Sequence, residues 1–333
     1  MGGTVDMLKS LLSCVLVVLI WVGSAFAEGV TMQEKVSYAG WPNCVKLSNG
    51  KVELVATTDV GPRIIRLGFV GGQNLFHEYK ESLGKTGGKE WQNYGGHRLW
   101  HAPEAIPRTY WPDNDPVKME WDGKTLKLVP PPETGNGIQK EIEVTMDPKE
   151  NTIKLRHRIV NLNPWEIELA VWSLSVMAQN GRAIFPQEPF IPHEEYLLPA
   201  RPVVLWHYTQ MADPRWIWGN KYIQLKQDPA AKTKQKIGIL NKQAWAAYYL
   251  NGDLFIKQFD VDANGKYPDY GCNNETYTDW NMLEVESLGP LTKLAPNGGK
   301  AEHTEVWSLN KVEVGTDEAS IDAKVLPLIK RAK

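Results

Sequence analysis

The chain has 333 residues, of which 42% are hydrophobic and 23% charged, a balance typical of a globular protein rather than a disordered one. The formal net charge is −2 at pH 7, so the surface carries no large positive field and nucleic acid is not an expected partner. Tryptophan is frequent, with 14 residues, and such large aromatic side chains either fill a core or form a flat binding surface.

The first 27 residues have the pattern of a secretory signal peptide. Lys9 precedes an apolar run over residues 11–22, and residues 24–27 read Ser-Ala-Phe-Ala, a small-x-small cleavage site. The apolar run is short for a bilayer span, which needs about 20 residues. An uncleaved anchor and a lipoprotein lipidated at Cys14 are the alternatives. We therefore expect an exported protein, periplasmic or extracellular, without membrane contact after cleavage.

Alternation of apolar and polar residues dominates the chain from residue 50 to residue 310. Within it, Asp122-Gly123 and Asn251-Gly252 each separate two alternating runs, the strongest short-range signal for a β-hairpin. Two long stretches, 71–116 and 180–220, lack the alternation and are predicted to be ordered binding loops.

Helical periodicity is scarce. We predict an all-β fold, a single large antiparallel domain over residues 28–315, followed by a C-terminal tail over 316–333 with a possible short helix. Pro327 would disrupt the interior of that helix. Cys44 and Cys272 form either a disulfide or two separate buried thiols in the mature chain.

The densest group of chemically active side chains follows the glycine pair at 95–96. His97 and His101 are candidate proton donors or acceptors, Arg98 is a candidate for binding hydroxyls, and Trp100 offers a flat face for a sugar ring. The alternative is an ordinary loop with packed aromatic residues. The convergence of so many polar groups favours a site.

The spacing of His97 and His101 would align two metal ligands on a helix, with Glu104 as a third. The glycine pair and Pro103 argue against a helix there, so no metal is predicted. The sequence also lacks a phosphate-binding loop, a dinucleotide fingerprint and a G-x-S-x-G nucleophile motif, and we expect no cofactor.

Two later regions carry acidic residues. Asp269 and Glu275 lie in a stretch of acids, amides and tyrosines that would bind a polyol or form an ordinary turn. Glu284 and Glu286 share one strand face, where one carboxylate would be a general base with a pKa raised by the other, unless the face is simply solvated. His157 lies on an apolar strand face and is predicted to be a structural core histidine.

Several segments together resemble the galactose-mutarotase-like superfamily, and most closely an uncharacterised, mostly bacterial branch with a Gly-Gly-His-Arg-Leu-Trp element. The resemblance implies a β-supersandwich whose concave face binds carbohydrate, with a histidine as general acid and a glutamate as general base. The segments that carry it are residues 95–100, 155–161, 165–177, 181–187, 274–277, 283–290 and 302–307.

Under this resemblance Glu286 matches the family's late carboxylate, and His97 and Arg98 match its early sugar-gripping pair. The family's His-x-Tyr-Phe-like element is absent, because residues 172–177 contain no histidine. His97 or His101 would then have to replace the missing acid.

The first functional hypothesis is an exported epimerase-like isomerase of a sugar or an oligosaccharide end. His97 or His101 would be the acid and Glu286 the base, with hydroxyls held by Arg98 and Glu275. Other substrate-binding candidates are Trp100, Trp111, Asp269 and Glu284. The alternatives are a non-catalytic carbohydrate-binding protein and a lyase of uronate glycans that uses Arg98, His101 and Tyr94. The sequence leaves the oligomeric state open.

Overall fold

The computed structural model describes residues 29–329. The predicted signal peptide, residues 1–27, lies outside the described residues and stays a prediction. Among the described residues the two helices have four and seven residues, far fewer than a bilayer-spanning helix needs.

Residues 29–329 form two antiparallel sheets and little else, which confirms the all-β prediction. In chain order the strands are β1 (Thr31–Tyr38), β2 (Trp41–Ser48), β3 (Val52–Thr57), β4 (Arg63–Phe69), β5 (Gly96–Ala102), β6 (Lys118–Trp121), β7 (Thr125–Val129), β8 (Ile138–Met146), β9 (Thr152–Asn161), β10 (Ile167–Met177), β11 (Arg182–Pro186), β12 (Val203–Leu205), β13 (Trp216–Trp218), β14 (Tyr222–Lys226), β15 (Gln235–Ile239), β16 (Trp245–Leu250), β17 (Asp253–Phe259), β18 (Asn274–Thr278), β19 (Leu283–Leu288), β20 (Thr292–Leu294) and β21 (Lys300–Lys311).

The first sheet has the order β1-β2-β3-β4-β5-β10-β19-β18-β15-β12, with β20 paired to β10. The second has the order β13-β14-β11-β16-β17-β21-β9-β8-β7-β6. Their facing sides pack a continuous apolar core, as expected when alternate residues of each strand point to one face.

Both predicted hairpins are present. β6 pairs with β7 across Asp122-Gly123, and β16 pairs with β17 across Asn251-Gly252. In the second turn the φ angles are 47° at Asn251 and 82° at Gly252, the left-handed conformation that Asn-Gly tolerates best.

The C-terminal segment contains a short helix, α2 (Glu318–Lys324), whose first turn is capped by the Asp317 carboxylate. Pro327 lies beyond its end, in the 3₁₀ turn Leu326–Leu328. The other helical turn, α1 (Pro268–Gly271), contains two residues with left-handed φ. Cys44 and Cys272 are both buried and free, so the alternative of two separate thiols is the one present.

The prediction of a loop throughout 71–116 is wrong for residues 96–102, which form β5. Every residue of β5 is buried, because one face packs in the core and the other lies under an aromatic surface loop. A strand buried on both faces has no apolar–polar alternation, which is why the pattern missed it.

Candidate functional site

The candidate site lies on the face of the first sheet that points away from the second sheet. A cavity of about 430 Å³ opens there over five adjoining strands, β5, β10, β19, β18 and β15. Surface loops from both irregular regions contribute aromatic walls. The lining includes Tyr79, Trp91, Arg98, Trp100, Glu104, Tyr110, Trp172, Trp206, Tyr208, Lys236, Tyr277 and Glu284.

Two buried carboxyl groups lie beside this cavity. Glu275 on β18 and Glu286 on β19 are direct cross-strand neighbours, and both side chains are almost fully inaccessible. Lys236, which lines the cavity, places its Nζ 2.9 Å from Oε2 of Glu275 and 3.6 Å from Oε2 of Glu286. The Trp172 indole Nε1 donates to Oε2 of Glu286 at 2.8 Å. The site therefore holds two acids against one ammonium group.

Burial is the main cause that raises the pKa of Glu286, and the positive charge of Lys236 partly offsets it, leaving a pKa of about 7. Burial, and then the charge of Glu286, also raise the pKa of Glu275 well above its ordinary value despite the nearby Lys236. Burial alone would lower the pKa of Lys236, but Glu275 and Glu286 outweigh it and raise the pKa well above the usual value. At neutral pH the lysine is charged and Glu286 is close to its titration midpoint.

Arg98 forms the opposite side of the site. One of its Nη atoms donates to Oε1 of Glu284 at 2.8 Å, and the guanidinium packs on the Trp100 ring at 4.4 Å and the Trp91 ring at 5.7 Å. We call Arg98, Lys236, Glu275, Glu284 and Glu286 the outer cluster.

Several buried polar atoms of this region have no hydrogen-bond partner within the described residues. They are Nε and Nη1 of Arg98, Oε1 of Glu275, Oε1 of Glu286 and Nε1 of Trp91. Leaving a buried donor or acceptor unsatisfied costs about 1–3 kcal/mol each. Their concentration around one cavity is typical of a binding site, where a ligand supplies the missing partners.

His97 faces the other way. Its neighbour Arg98 points to the cavity, and alternation along β5 therefore turns the imidazole into the space between the sheets. Nδ1 lies 2.9 Å from the Ser175 hydroxyl and Nε2 lies 2.7 Å from Nε2 of His157. His157 Nδ1 contacts the His303 carbonyl at 3.2 Å, so it carries the proton and the His157 Nε2 accepts from His97.

His157, Lys257, His303 and Glu305 complete this group with His97, and we call the five residues the inner cluster. Lys257 Nζ lies 2.9 Å from Oε1 of Glu305, and the Trp307 indole donates to Oε2 at 2.7 Å. His303 bonds the Ser287 hydroxyl at 2.7 Å, and that hydroxyl donates to Glu305 at 2.6 Å.

The inner cluster brings a ligand atom from each of His97, His157 and Glu305 within 4.8 Å of one another. Each of these atoms is already engaged, and the Lys257 ammonium occupies the approach to Glu305. Burial raises the pKa of Glu305, but Lys257 outweighs it and holds the pKa well below the ordinary value. The arrangement is that of a saturated structural network, and the structural role expected of His157 fits it.

His101 also lies on the inner side of β5. His101 lies four residues from His97 along an extended strand, so the two residues are about 13 Å apart, too far to share an ion. Burial, followed by the charges of Lys140 and Arg108, lowers the pKa of His101 to about 2, so the ring is neutral. Neither histidine lines the cavity, and the structure does not bring either to Glu286.

The remaining predicted residues divide in the same way. Arg98, Trp100 and Glu284 line the cavity, and Glu275 and Glu286 lie directly behind Lys236. Trp111 packs over Gly135 and lines a different cavity, and Asp269 lines a third.

Of the three residues considered for a lyase, only Arg98 lines the cavity. His101 lies on the inner side of β5. The hydroxyl of Tyr94 donates to Asn114 at 2.9 Å, inside a separate buried cluster. The structure therefore gives the lyase hypothesis no assembled site.

The sequence analysis missed Lys236, Trp172, Trp206 and Tyr208. Lys236 is the only charged residue of the buried strand β15, but in the sequence it follows Lys232 and Lys234, so no local signal distinguishes it from a solvated lysine. Its neighbours across the sheet depend on the pairing of β15 with β18, which no local pattern specifies.

No protein-family model and no curated protein matches this chain. Solved structures do. Two carry the name "putative aldose 1-epimerase": one from Klebsiella pneumoniae has a TM-score of 0.55 at 11% identity, covering 88% of this chain and 85% of that one. The other, from Escherichia coli K12, has a TM-score of 0.50 at 11% identity, covering 85% and 100%.

A TPR-domain containing protein from Parabacteroides distasonis has a TM-score of 0.54 at 14% identity. The match covers 82% of this chain and 48% of that protein, so this chain spans about half its length. These similarities define the fold class, the large antiparallel β-sandwich of the two putative aldose 1-epimerases, and they confirm the expected resemblance at the level of the fold. At such low identity the reaction does not follow from the fold.

Proposed function

We propose that this chain is a carbohydrate-active isomerase of the aldose 1-epimerase type, acting on a sugar or on the reducing end of an oligosaccharide. The fold similarity and the aromatic cavity both support a carbohydrate ligand, since indole and phenol rings offer flat apolar faces with polar edges. The observation that carries the proposal is the Glu286 carboxyl, which is buried, has a pKa of about 7 and adjoins the cavity-lining ammonium of Lys236.

Interconversion of anomers needs a base for the proton of the anomeric hydroxyl and an acid for the ring oxygen. In the proposed reaction Glu286 takes the hydroxyl proton while Lys236 donates a proton to the ring oxygen, so the C1–O5 bond breaks and an aldehyde forms. Rotation about C1–C2 and reversal of both transfers closes the ring as the other anomer. Both residues then recover their starting protonation states.

In this proposal Lys236 takes the role of general acid that a histidine has in the mutarotase-like family. Within residues 172–177 the outward positions of β10 are Trp172, Leu174 and Val176, none of which can donate a proton to a ring oxygen as an acid. The two histidines first considered lie behind the sheet. Lys236 is the cation that contacts both the cavity and the carboxyl pair.

The test is a glycan-panel binding screen in which binding is monitored by intrinsic tryptophan fluorescence. Each sugar that binds is then examined by NMR for accelerated anomeric exchange. Glu286→Gln is expected to lower the exchange rate by at least about 100-fold while leaving affinity within about tenfold. Glu302→Gln is the matched control, since this glutamate pairs with Arg158 on the other sheet. Exchange that survives Glu286→Gln would remove Glu286 from the reaction.

A non-catalytic carbohydrate-binding protein is the second candidate. It is favoured by the complete burial of Glu286 behind Lys236 and by the lack of a histidine on β10. Sugar binding without any accelerated exchange in the wild-type protein would establish this function instead.

We also propose export directed by residues 1–27, on the sequence pattern alone. Expression of the full chain in a bacterial host with N-terminal sequencing of the periplasmic fraction tests it. A new N-terminus at Glu28 is the expected result, and recovery of the uncleaved chain in the cytoplasm would contradict it.

A further inference from the structure

A second cavity adjoins the candidate site across one tryptophan. It has a volume of about 410 Å³ and is lined by Val204, Leu205, Trp206, His207, Asp269 and Tyr270. Trp206 also lines the first cavity, where its ring lies 4.6 Å from the Lys236 ammonium. The two cavities therefore share one aromatic wall and lie on either side of the same tryptophan.

Tyr270 is presented to solvent by an unusual backbone. Its side chain is 96% exposed, and both Asp269 and Tyr270 have left-handed φ angles, 50° and 61°. Residues with a Cβ adopt this conformation at an energetic cost, and two in succession are rare outside functional loops. The two residues that flank the turn hold it in place. The Cys272 amide donates to the Pro268 carbonyl at 2.9 Å, and both residues are buried.

The lining suits a sugar residue. Trp206 and Tyr270 offer aromatic faces, and the Asp269 carboxylate and the His207 imidazole offer hydrogen-bonding groups for hydroxyls. A large aromatic side chain that is exposed at the rim of a cavity, with a charged group beside it, is typical of a binding surface.

The second cavity is also linked electrostatically to the first. After burial and the charge of Glu286, the negative charge of Asp269 is a further cause that raises the pKa of Glu275. Asp269 is therefore close enough to the carboxyl pair behind Lys236 for its charge to act on Glu275.

We propose that the second cavity is a subsite for the next sugar residue, and that the natural ligand is an oligosaccharide of at least two residues. The placement of the reducing end in the first cavity rests on the proposed function. The existence of the second subsite rests only on the two adjoining cavities and their shared Trp206 wall.

The test measures affinity against ligand length. The probes are glucose, galactose, mannose and xylose with their β-1,4- and α-1,4-linked di- and trisaccharides. Their binding is measured by intrinsic tryptophan fluorescence and by calorimetry. The disaccharide of the preferred series is expected to bind at least about tenfold more tightly than its monosaccharide. Tyr270→Ala should remove this gain and leave the monosaccharide affinity unchanged.

Two further variants sharpen the result. Tyr270→Phe retains the aromatic face and should retain the gain, whereas Tyr196→Ala, at another exposed tyrosine, should change neither affinity. Equal affinity for mono- and disaccharides, or an equal loss for both in Tyr270→Ala, would overturn the subsite.

Anomeric exchange on the monosaccharide is recorded in parallel, which separates the two proposals. A length-dependent affinity without exchange upholds the subsite and rejects the isomerase. Exchange on the monosaccharide without any length dependence does the opposite.

Discussion

Two groups of acidic and basic side chains lie on the two sides of the first sheet, one beside the cavity and the other between the sheets. The outer cluster contains Arg98 and Glu286, and the inner cluster contains His97 and Lys257, yet they differ in how fully their polar atoms are paired. Within residues 29–329 the outer cluster retains buried polar atoms that have no hydrogen-bond partner, beside an open cavity. In the inner cluster every imidazole, ammonium and carboxylate has a partner.

The difference shows that the kind of residue does not identify a site. The inner cluster has the residues usually associated with acid–base catalysis, but its polar atoms are already hydrogen-bonded to other groups of the fold. The Lys257 ammonium also donates to the Val285 carbonyl at 3.0 Å, between Glu284 and Glu286. The inner cluster therefore supports β19, the strand that carries Glu284 and Glu286.

The largest expected effect comes from breaking the inner ion pair. Lys257→Met leaves the fully buried Glu305 without its cation, and we expect the free energy of unfolding to fall by about 3–5 kcal/mol. Thermal and urea unfolding measure it. Lys221→Met, which breaks an exposed pair with Asp322, is the control and should change stability little. Equal stability of the Lys257 variant and wild type would contradict the charged inner cluster.

The next effect concerns His97. His97→Ala removes partners from Ser175 and His157, and we expect a loss of about 1–3 kcal/mol in unfolding free energy. Sugar affinity and exchange rate should stay within about threefold of wild type when measured on folded protein. A tenfold or greater loss of exchange in a fully folded variant would instead make His97 part of the reaction.

A smaller and pH-dependent loss is expected for Lys236→Met. Its carboxyl neighbours already have raised pKa values, so they become neutral rather than remaining as unpaired charges. A group whose folded pKa is raised loses its stabilising contribution as pH rises from the unfolded to the folded pKa. The variant should therefore approach wild-type stability near pH 4.5 and fall behind it towards pH 8. A loss that does not vary with pH would argue against the raised pKa values of Glu275 and Glu286.

The last prediction needs no substitution and concerns the pH profile of the wild-type protein. With Glu286 near a pKa of about 7, the carboxylate required as a base is lost as pH falls below 7. The exchange rate should drop about tenfold per pH unit below that value. A flat profile between pH 5 and pH 8 would exclude Glu286 as the titrating base.

The amino-acid sequence by itself determined the local features. Alternation and the Asn251-Gly252 turn predicted antiparallel strands and hairpins, because side-chain direction along a strand and the φ angles of a two-residue turn depend on neighbouring residues. The same alternation placed Glu284 and Glu286 on one face. The ordered segments that resemble mutarotases gave the fold, which the solved structures confirm.

The tertiary structure alone decided which of these residues meet. His97 and Arg98 are adjacent in sequence and so belong to opposite faces of β5, but only the packing of the second sheet shows which face is closed. Lys236 reaches Glu286 because β15, β18 and β19 lie side by side. Strand pairing joins residues far apart in the chain, whereas the patterns read from a sequence are local, and a site assembled across strands therefore appears only in the fold.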